Sequence, residues 1–109
     1  MMTETTRPTT YTESWTVGIR TRYYGPGNVR GSRVTAWRAD QKSPRDDSMS
    51  VTVQWDYALS SSENHTAAVR AYVEAHNAAG HDWSGEWVIG SGHDGYMAVR
   101  TPPTVNEPR

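Results

Sequence analysis

The spacing of the apolar residues divides this chain into several strands and one helix. In residues 15–24 and 51–57, apolar and polar residues alternate, which is typical of strands that bury one face. Between Ser60 and Gly80 the apolar residues recur with a helical period instead. A chain of this kind is largely restricted to an antiparallel sheet that is covered by its helix.

The helix has signals at both ends and one apolar face. Ser60-x-x-Glu63 is a capping box, and Gly80 is a suitable C-cap residue. The helix is predicted to lie across the sheet. The residues that share its sheet-facing side by spacing are His65, Ala68, Val69, Tyr72, Val73 and His76.

Five strands are predicted around the helix, in the order strand, strand, strand, helix, strand, strand. Residues 15–24 and 33–39 form a hairpin across a glycine-rich loop, and Arg20 and Arg22 face solvent. Residues 51–57 form the third strand, and the last two strands form a second hairpin across residues 90–95. The predicted fold class is α+β, a small antiparallel sheet of about five strands with one amphipathic helix on one face.

One domain, residues 13–100, contains all of these elements. A chain of 109 residues is near the common size of a single domain and buries a modest core. Residues 1–12 and 101–109 are rich in threonine, proline and charge, so both are predicted to be disordered tails.

Composition narrows the chemistry and the cellular location. The chain has no cysteine, which excludes disulfides, thiolate metal sites and a cysteine nucleophile. It has no phenylalanine, so five tryptophans and six tyrosines must supply much of the core. No segment has the apolar length of a signal peptide or a membrane span, so a cytoplasmic protein without a membrane partner is expected.

Residues 23–33 (YYGPGNVRGSR) form the segment whose composition points beyond folding. Its glycines and proline favour an irregular turn, and successive backbone N–H groups in such turns can form an anion-binding nest. Arg30 and Arg33 would add guanidinium donors beside it. The alternative is a plain hairpin connection, or a structural clasp in which Asp56 or Glu63 pairs with these arginines. The segment lacks the ending of a Walker loop, so nucleotide hydrolysis is not predicted.

Charge is segregated along the chain although the net charge is −1. The charged residues within 15–45 are all basic except Asp40, whereas those within 46–96 are all acidic except Arg70. Such segregation attracts anions to one face or creates complementary faces for self-association. The candidate ligands for an anion or a nucleic acid are Arg20, Arg22, Tyr24, Asn28, Arg30, Arg33 and Arg38.

Neither catalysis nor metal binding is predicted. His65 and His76 share a helix face but lie about three turns apart, and His76 and His81 straddle the predicted helix end. Ser60 is explained as a helix cap, and residues 90–95 as a turn rather than a nucleophile elbow. We therefore expect no catalytic residue, no metal and no cofactor, with His65 packed near the helix start and the other histidines in solvent.

Two motifs resemble a family of short, uncharacterised phage-encoded proteins. Residues 23–33 match its Y-x-G-P-x-N-x-R-G-S-R pattern, and residues 55–59 with residues 63–68 match W-D-Y/H-A-L, a short spacer and E-N-H-x-x-A. Gly27, where the family often has threonine, and the tryptophan-rich residues 81–87 depart from it. The resemblance implies a phage origin and an accessory role in the cytoplasm of an infected bacterium, without a specific activity.

Two functions are compatible with these features. The first is a nucleic-acid-binding accessory protein that uses the loop and a basic sheet face, because interleaved arginines and aromatics are typical of single-strand platforms. The second is a protein-interaction module that modulates a host protein or self-associates through exposed tryptophan and tyrosine. Charge segregation and the composition of the loop favour the first.

Overall fold

The computed structural model describes residues 17–27, 30–92 and 94–100. The predicted tails, part of the predicted first strand and the candidate ligand Asn28 lie outside these residues. The described residues form β1 (Ile19–Tyr24), β2 (Arg33–Arg38), a short 3₁₀ helix (Pro44–Asp46), β3 (Val51–Gln54), α1 (Ser61–Ala78), β4 (Trp87–Ser91) and β5 (Gly95–Arg100).

The strands make one antiparallel sheet in the order β3-β2-β1-β5-β4, with α1 packed against it. This confirms the predicted α+β class. β1 is the central strand: it forms the predicted hairpin with β2, from Ile19 opposite Arg38 to Tyr24 opposite Arg33. On its other side β1 pairs with β5, with Ile19 opposite Ala98. The beginning and the end of the described chain therefore meet in the middle of the sheet.

The predicted capping box begins α1. The Ser60 hydroxyl accepts the Glu63 amide at 3.2 Å, and the Glu63 carboxylate accepts the Ser60 amide at 2.8 Å. These hydrogen bonds hold the pKa of Glu63 below its usual value. Two backbone donors at the helix start are thus satisfied by side chains, as the sequence signature indicates.

A Schellman motif ends the helix. Gly80 has a φ of +100°, and its amide donates to the carbonyl of Asn77 at 3.1 Å. The His81 amide reaches back to the carbonyl of His76 at 3.0 Å. Glycine suits the left-handed position that this motif needs, so Gly80 is the residue that turns the chain and brings His81 over His76.

The main core lies between α1 and one face of the sheet. The buried apolar residues that form it are Ile19, Val34, Ala36 and Ala98 from the sheet and Ala68, Val69 and Tyr72 from the helix. The helix face predicted from spacing is therefore the one that packs on the sheet. No helix in the described part of the chain has the length and apolarity needed to cross a bilayer.

The third strand ends at Gln54, three residues earlier than the alternation predicts, because Asp56 begins a turn. Its carboxylate accepts the Ala58 amide at 2.9 Å, and its carbonyl accepts the Leu59 amide at 3.1 Å. The buried Asn64 side chain accepts the Asp56 amide at 2.7 Å. These local bonds outcompete the ladder, which is the usual effect of an Asx turn. Tyr57 is consequently 81% exposed instead of packed in a strand.

Trp37 is fully buried on the sheet face that α1 does not cover, which we call the open face. It lies opposite Arg20 of β1, and its indole N–H donates to the Gln41 carbonyl at 3.2 Å. The guanidinium carbons of Arg20 and Arg22 lie 5.4 and 5.3 Å from its ring centroid. The open face thus has a small core of its own, made by a tryptophan under two arginines.

Candidate nucleic-acid interface

A row of predicted site residues lies on the open face. Strand alternation places Arg20, Arg22 and Tyr24 on this face, roughly 7 Å apart along β1. Arg33 is the cross-strand partner of Tyr24. We call these four residues the arginine row. Its members come from two adjacent strands, so the rigid sheet sets their spacing.

Arg33 connects the row to the loop, residues 25–32. Its guanidinium carbon lies 5.2 Å from the centroid of the Tyr24 ring. One of its terminal nitrogens donates to the carbonyls of Gly25 at 3.4 Å and Gly31 at 3.3 Å. Arg33 therefore braces the two ends of the loop while its charge stays at the surface.

The clasp in which Asp56 or Glu63 pairs with the loop arginines does not form. Within residues 17–27, 30–92 and 94–100, neither Arg30 nor Arg33 makes an ion pair with a carboxylate. The Asp56 carboxylate accepts a backbone amide of its own turn, and the Glu63 carboxylate belongs to the capping box. The charges of both loop arginines are thus not neutralised by these acids.

The described part of the loop, residues 25–27 and 30–32, has little side-chain bulk. The Gly27 amide donates to the Arg30 carbonyl at 2.7 Å, so this N–H closes the loop and is not offered to a ligand. Gly31 does not adopt a left-handed conformation, and a Cβ added there would meet no atom within 4 Å. Packing inside the protein therefore does not explain a glycine at position 31.

Two shallow grooves flank the Tyr24–Arg33 pair. One has a volume of about 440 Å³ and is lined by Arg30, Gly31, Arg33, Thr52 and Gln54. The other has a volume of about 490 Å³ and is lined by Arg22, Tyr24, Ser43, Pro44 and Arg45. Thr52, Gln54 and Arg45 are not among the residues predicted from the sequence, although the alternation of β3 already places the first two on one face.

Two arginines of the predicted set form ion pairs. Arg22 lies 3.6 Å from Asp94, and both side chains are partly exposed. Arg38 lies 2.9 Å from Asp40. Arg38 pairs across the strands with the core residue Ile19, so it lies on the side of the sheet that carries α1. The structure therefore separates Arg38 from the arginine row.

On the other side of the loop, two tyrosines converge on a buried serine. The Tyr57 hydroxyl donates to the Ser32 hydroxyl at 3.3 Å, and the Tyr23 hydroxyl lies 3.0 Å from the same oxygen. The Tyr23 ring packs edge-on against Trp55, at 4.9 Å between centroids. Tyr57 is the outermost ring of this group and was not selected from the sequence, where its place in the alternation indicates a strand.

His76, in the last turn of α1, is in contact with His81, which follows the helix. Their Nδ1 atoms lie 3.0 Å apart, and the His76 ring stacks on Trp83 at 4.2 Å between centroids. His76 is buried, which corrects its expected exposure, and burial together with His81 lowers its pKa. In the part of the chain that the structure describes, no three histidine or acidic side chains converge so as to hold a metal ion.

His65 is buried at the start of α1, as expected. Its Nδ1 lies 2.7 Å from the Thr21 hydroxyl, which also accepts the Tyr96 amide at 3.1 Å. Burial lowers the pKa of His65, so the neutral ring is favoured. This contact joins the helix to β1 and β5 beneath the sheet, on the side away from the arginine row.

No family model, curated protein or solved structure matches the chain. A function can therefore be inferred only from the chemistry of the open face and of the loop next to it.

Proposed function

We propose that this protein is a non-catalytic accessory protein that binds nucleic acid through the arginine row and the loop. The observation that carries the proposal is the continuity of this surface. Arg30 and Arg33 share one groove, Arg33 stacks on Tyr24, and Tyr24 shares the next groove with Arg22. The proposed setting, the cytoplasm of a phage-infected bacterium, is supported by the resemblance of the two sequence motifs.

A row of guanidinium groups suits a polymeric anion better than a small one. Each guanidinium presents a planar set of donors that matches a phosphate, and repetition along a strand matches successive phosphates. The net charge of −1 makes a general attraction to nucleic acid weak. Binding is therefore expected to depend on this surface and to weaken steeply with salt, because phosphate neutralisation releases counterions.

The test is the salt dependence of oligonucleotide binding, measured by a mobility shift or by fluorescence anisotropy. Arg30→Ala removes an exposed loop charge and should lower the slope of log affinity against log salt by about 0.7 for a single strand. The matched control is Arg70→Ala, which removes an exposed arginine from the helix. Equal slopes for the wild type and for both variants would show that the loop does not contact phosphates.

A second candidate function is protein interaction or self-association, and one observation favours it. Three apolar side chains of β4 and β5 are exposed on the open face: Val88 at 58%, Val99 at 42% and Met97 at 38%. Sedimentation at several concentrations separates the candidates. A dimer that Val99→Asp dissociates supports the second function, whereas a monomer that binds oligonucleotides supports the first.

A further inference from the structure

We propose that the nucleic acid is single-stranded and that one of its bases stacks on the Tyr57 ring. This inference rests on the proposed function and names its ligand class. It follows from the juxtaposition of an exposed, tethered tyrosine with a loop that carries an arginine and a bare backbone.

The Tyr57 ring is held in place without being covered. It is 81% exposed, yet its hydroxyl donates to the Ser32 hydroxyl at 3.3 Å. Ser32 is itself buried and lies 3.0 Å from the Tyr23 hydroxyl. The far end of the ring is therefore fixed to the protein while its faces remain accessible to a planar partner.

The backbone beneath Tyr57 is also fixed. The Asp56 carboxylate and carbonyl accept the amides of Ala58 and Leu59, and the buried Asn64 side chain accepts the Asp56 amide. The Asn64 amide group donates in turn to the Asp56 carbonyl at 3.0 Å. A ligand that stacks on this ring therefore has little conformational entropy to remove, which favours affinity.

The ring is tethered to the loop that carries the proposed phosphate contacts. Ser32, which tethers it, immediately follows Gly31 in the loop, and Arg30 precedes Gly31. Arg30 is exposed, and Gly31 leaves the backbone open to close approach. A nucleotide can thus place its phosphate at the groove of Arg30 and Arg33 and its base on Tyr57.

The requirement for a free base selects the single strand. In a duplex each base is stacked between its neighbours, so an aromatic side chain cannot cover its face without unstacking it. A single strand exposes base faces, and aromatic stacking on them tolerates any sequence. An exposed tyrosine next to an arginine loop is therefore suited to single-stranded nucleic acid without strong sequence preference.

Three substitutions at one position test the stacking. Tyr57→Phe keeps the ring, Tyr57→Leu keeps only apolar bulk, and Tyr57→Ala removes both. Affinities are measured by anisotropy with a labelled mixed-sequence single strand and with its duplex. We expect the wild type to bind the single strand more tightly than the duplex. Tyr57→Ala and Tyr57→Leu should each weaken the affinity for the single strand by about 5- to 100-fold. Phenylalanine should stay within about threefold, because stacking survives the loss of one hydrogen bond.

The salt slope distinguishes the failure of this inference from the failure of the proposed function. All three variants should keep the wild-type slope, because stacking releases no counterions. Equal affinity of the wild type for single strand and duplex, or wild-type affinity in Tyr57→Ala, would overturn the stacking site. If the wild type still showed a steep slope of log affinity against log salt, the proposed function would stand. The stacking site would also be overturned if Tyr57→Leu bound the single strand as tightly as Tyr57→Phe, or if the variants had a lower salt slope than the wild type. A wild type that binds neither strand form would overturn both proposals.

Discussion

The guanidinium carbon of Arg22 lies 5.3 Å from the ring centroid of Trp37, on the face of the sheet without a helix. A tryptophan on such a face would ordinarily be exposed to water. Arg20 covers it as well, and the Gln41 carbonyl accepts its N–H. The same contacts that bury the ring also orient two arginines of the proposed interface, so folding and the proposed binding both depend on Trp37.

Replacing Trp37 should therefore affect stability strongly. Trp37→Ala is expected to lower the free energy of unfolding by about 3–5 kcal/mol, because it empties a fully buried site. Urea unfolding followed by circular dichroism measures the change. Trp83→Ala, at a partly exposed tryptophan outside the open face, should cost less. A loss below about 1 kcal/mol at Trp37 would contradict a packed core on this face.

Removing the carboxylate that pairs with Arg22 should strengthen oligonucleotide binding. Asp94 lies 3.6 Å from Arg22 and competes with a phosphate for it. Because the pair is partly exposed, Asp94→Asn is expected to raise affinity only about two- to fivefold at low salt, with a smaller gain at high salt. Asp82→Asn serves as the control of equal charge change, because the Asp82 carboxylate accepts the amide and hydroxyl of Ser84 and pairs with no arginine of the row. Unchanged affinity in Asp94→Asn would place Arg22 outside the interface.

Gly95 should tolerate no side chain. A Cβ at this position would collide with the Thr21 carbonyl oxygen, and backbone in the middle of a sheet cannot easily move away. Gly95→Ala is expected to destabilise the protein by about 3 kcal/mol or more. Gly90→Ala is the matched control, since a Cβ there meets nothing within 4 Å. Thermal unfolding of the pair should separate them clearly, and equal melting temperatures would contradict the β1–β5 register.

Stability should fall as the pH drops below about 6.5, because His65 and His76 have pKa values lowered from 6.5. The unfolded chain then binds protons that the folded one excludes, so this stability is present above pH 6.5 and is lost as the pH falls through the folded pKa values. Asp47, with a pKa below 3.8, loses its contribution only under more acidic conditions. Urea unfolding between pH 7.5 and 5 therefore reports the histidines.

A substitution of His81, which contacts His76, tests whether the buried histidines cause this pH dependence. Burial lowers the pKa of His76, and the charge of His81 lowers it further, so His81→Asn should make the pH dependence somewhat shallower. His81 is exposed, and its replacement should leave the fold intact at pH 7.5. A titration of the two buried histidines by NMR that placed either pKa above 6.5 would contradict the explanation.

Local sequence signals predicted the architecture correctly where local interactions decide it. The Ser60–Glu63 capping box and the helical spacing act within a few residues, so α1 and its buried face could be predicted. The alternation predicts a third strand that is three residues too long, because the turn at Asp56 depends on the side chain of Asn64, eight positions away. Tyr57, the proposed stacking residue, was missed for this reason.

The structure brings only some of the predicted site residues together on one face, for a related reason. Charge and composition indicate the candidate residues, whereas the sheet sorts them by alternation. Arg33 and Arg38 differ by an odd number of positions and lie on opposite faces. Thr52 and Gln54 could have been added by the same rule. Arg45 could not, because its position depends on how a connection folds over the open face.

The pairing of β1 with β5 has a consequence for synthesis. The Thr21 hydroxyl contacts the backbone of Tyr96, 75 positions later in the chain. A nascent chain leaves the ribosome with β1 first, so the central strand lacks its second neighbour until almost all of the described chain has emerged. Products of interrupted translation that end before Gly95 would carry an unpaired strand edge next to exposed core residues, and are expected to aggregate or be degraded.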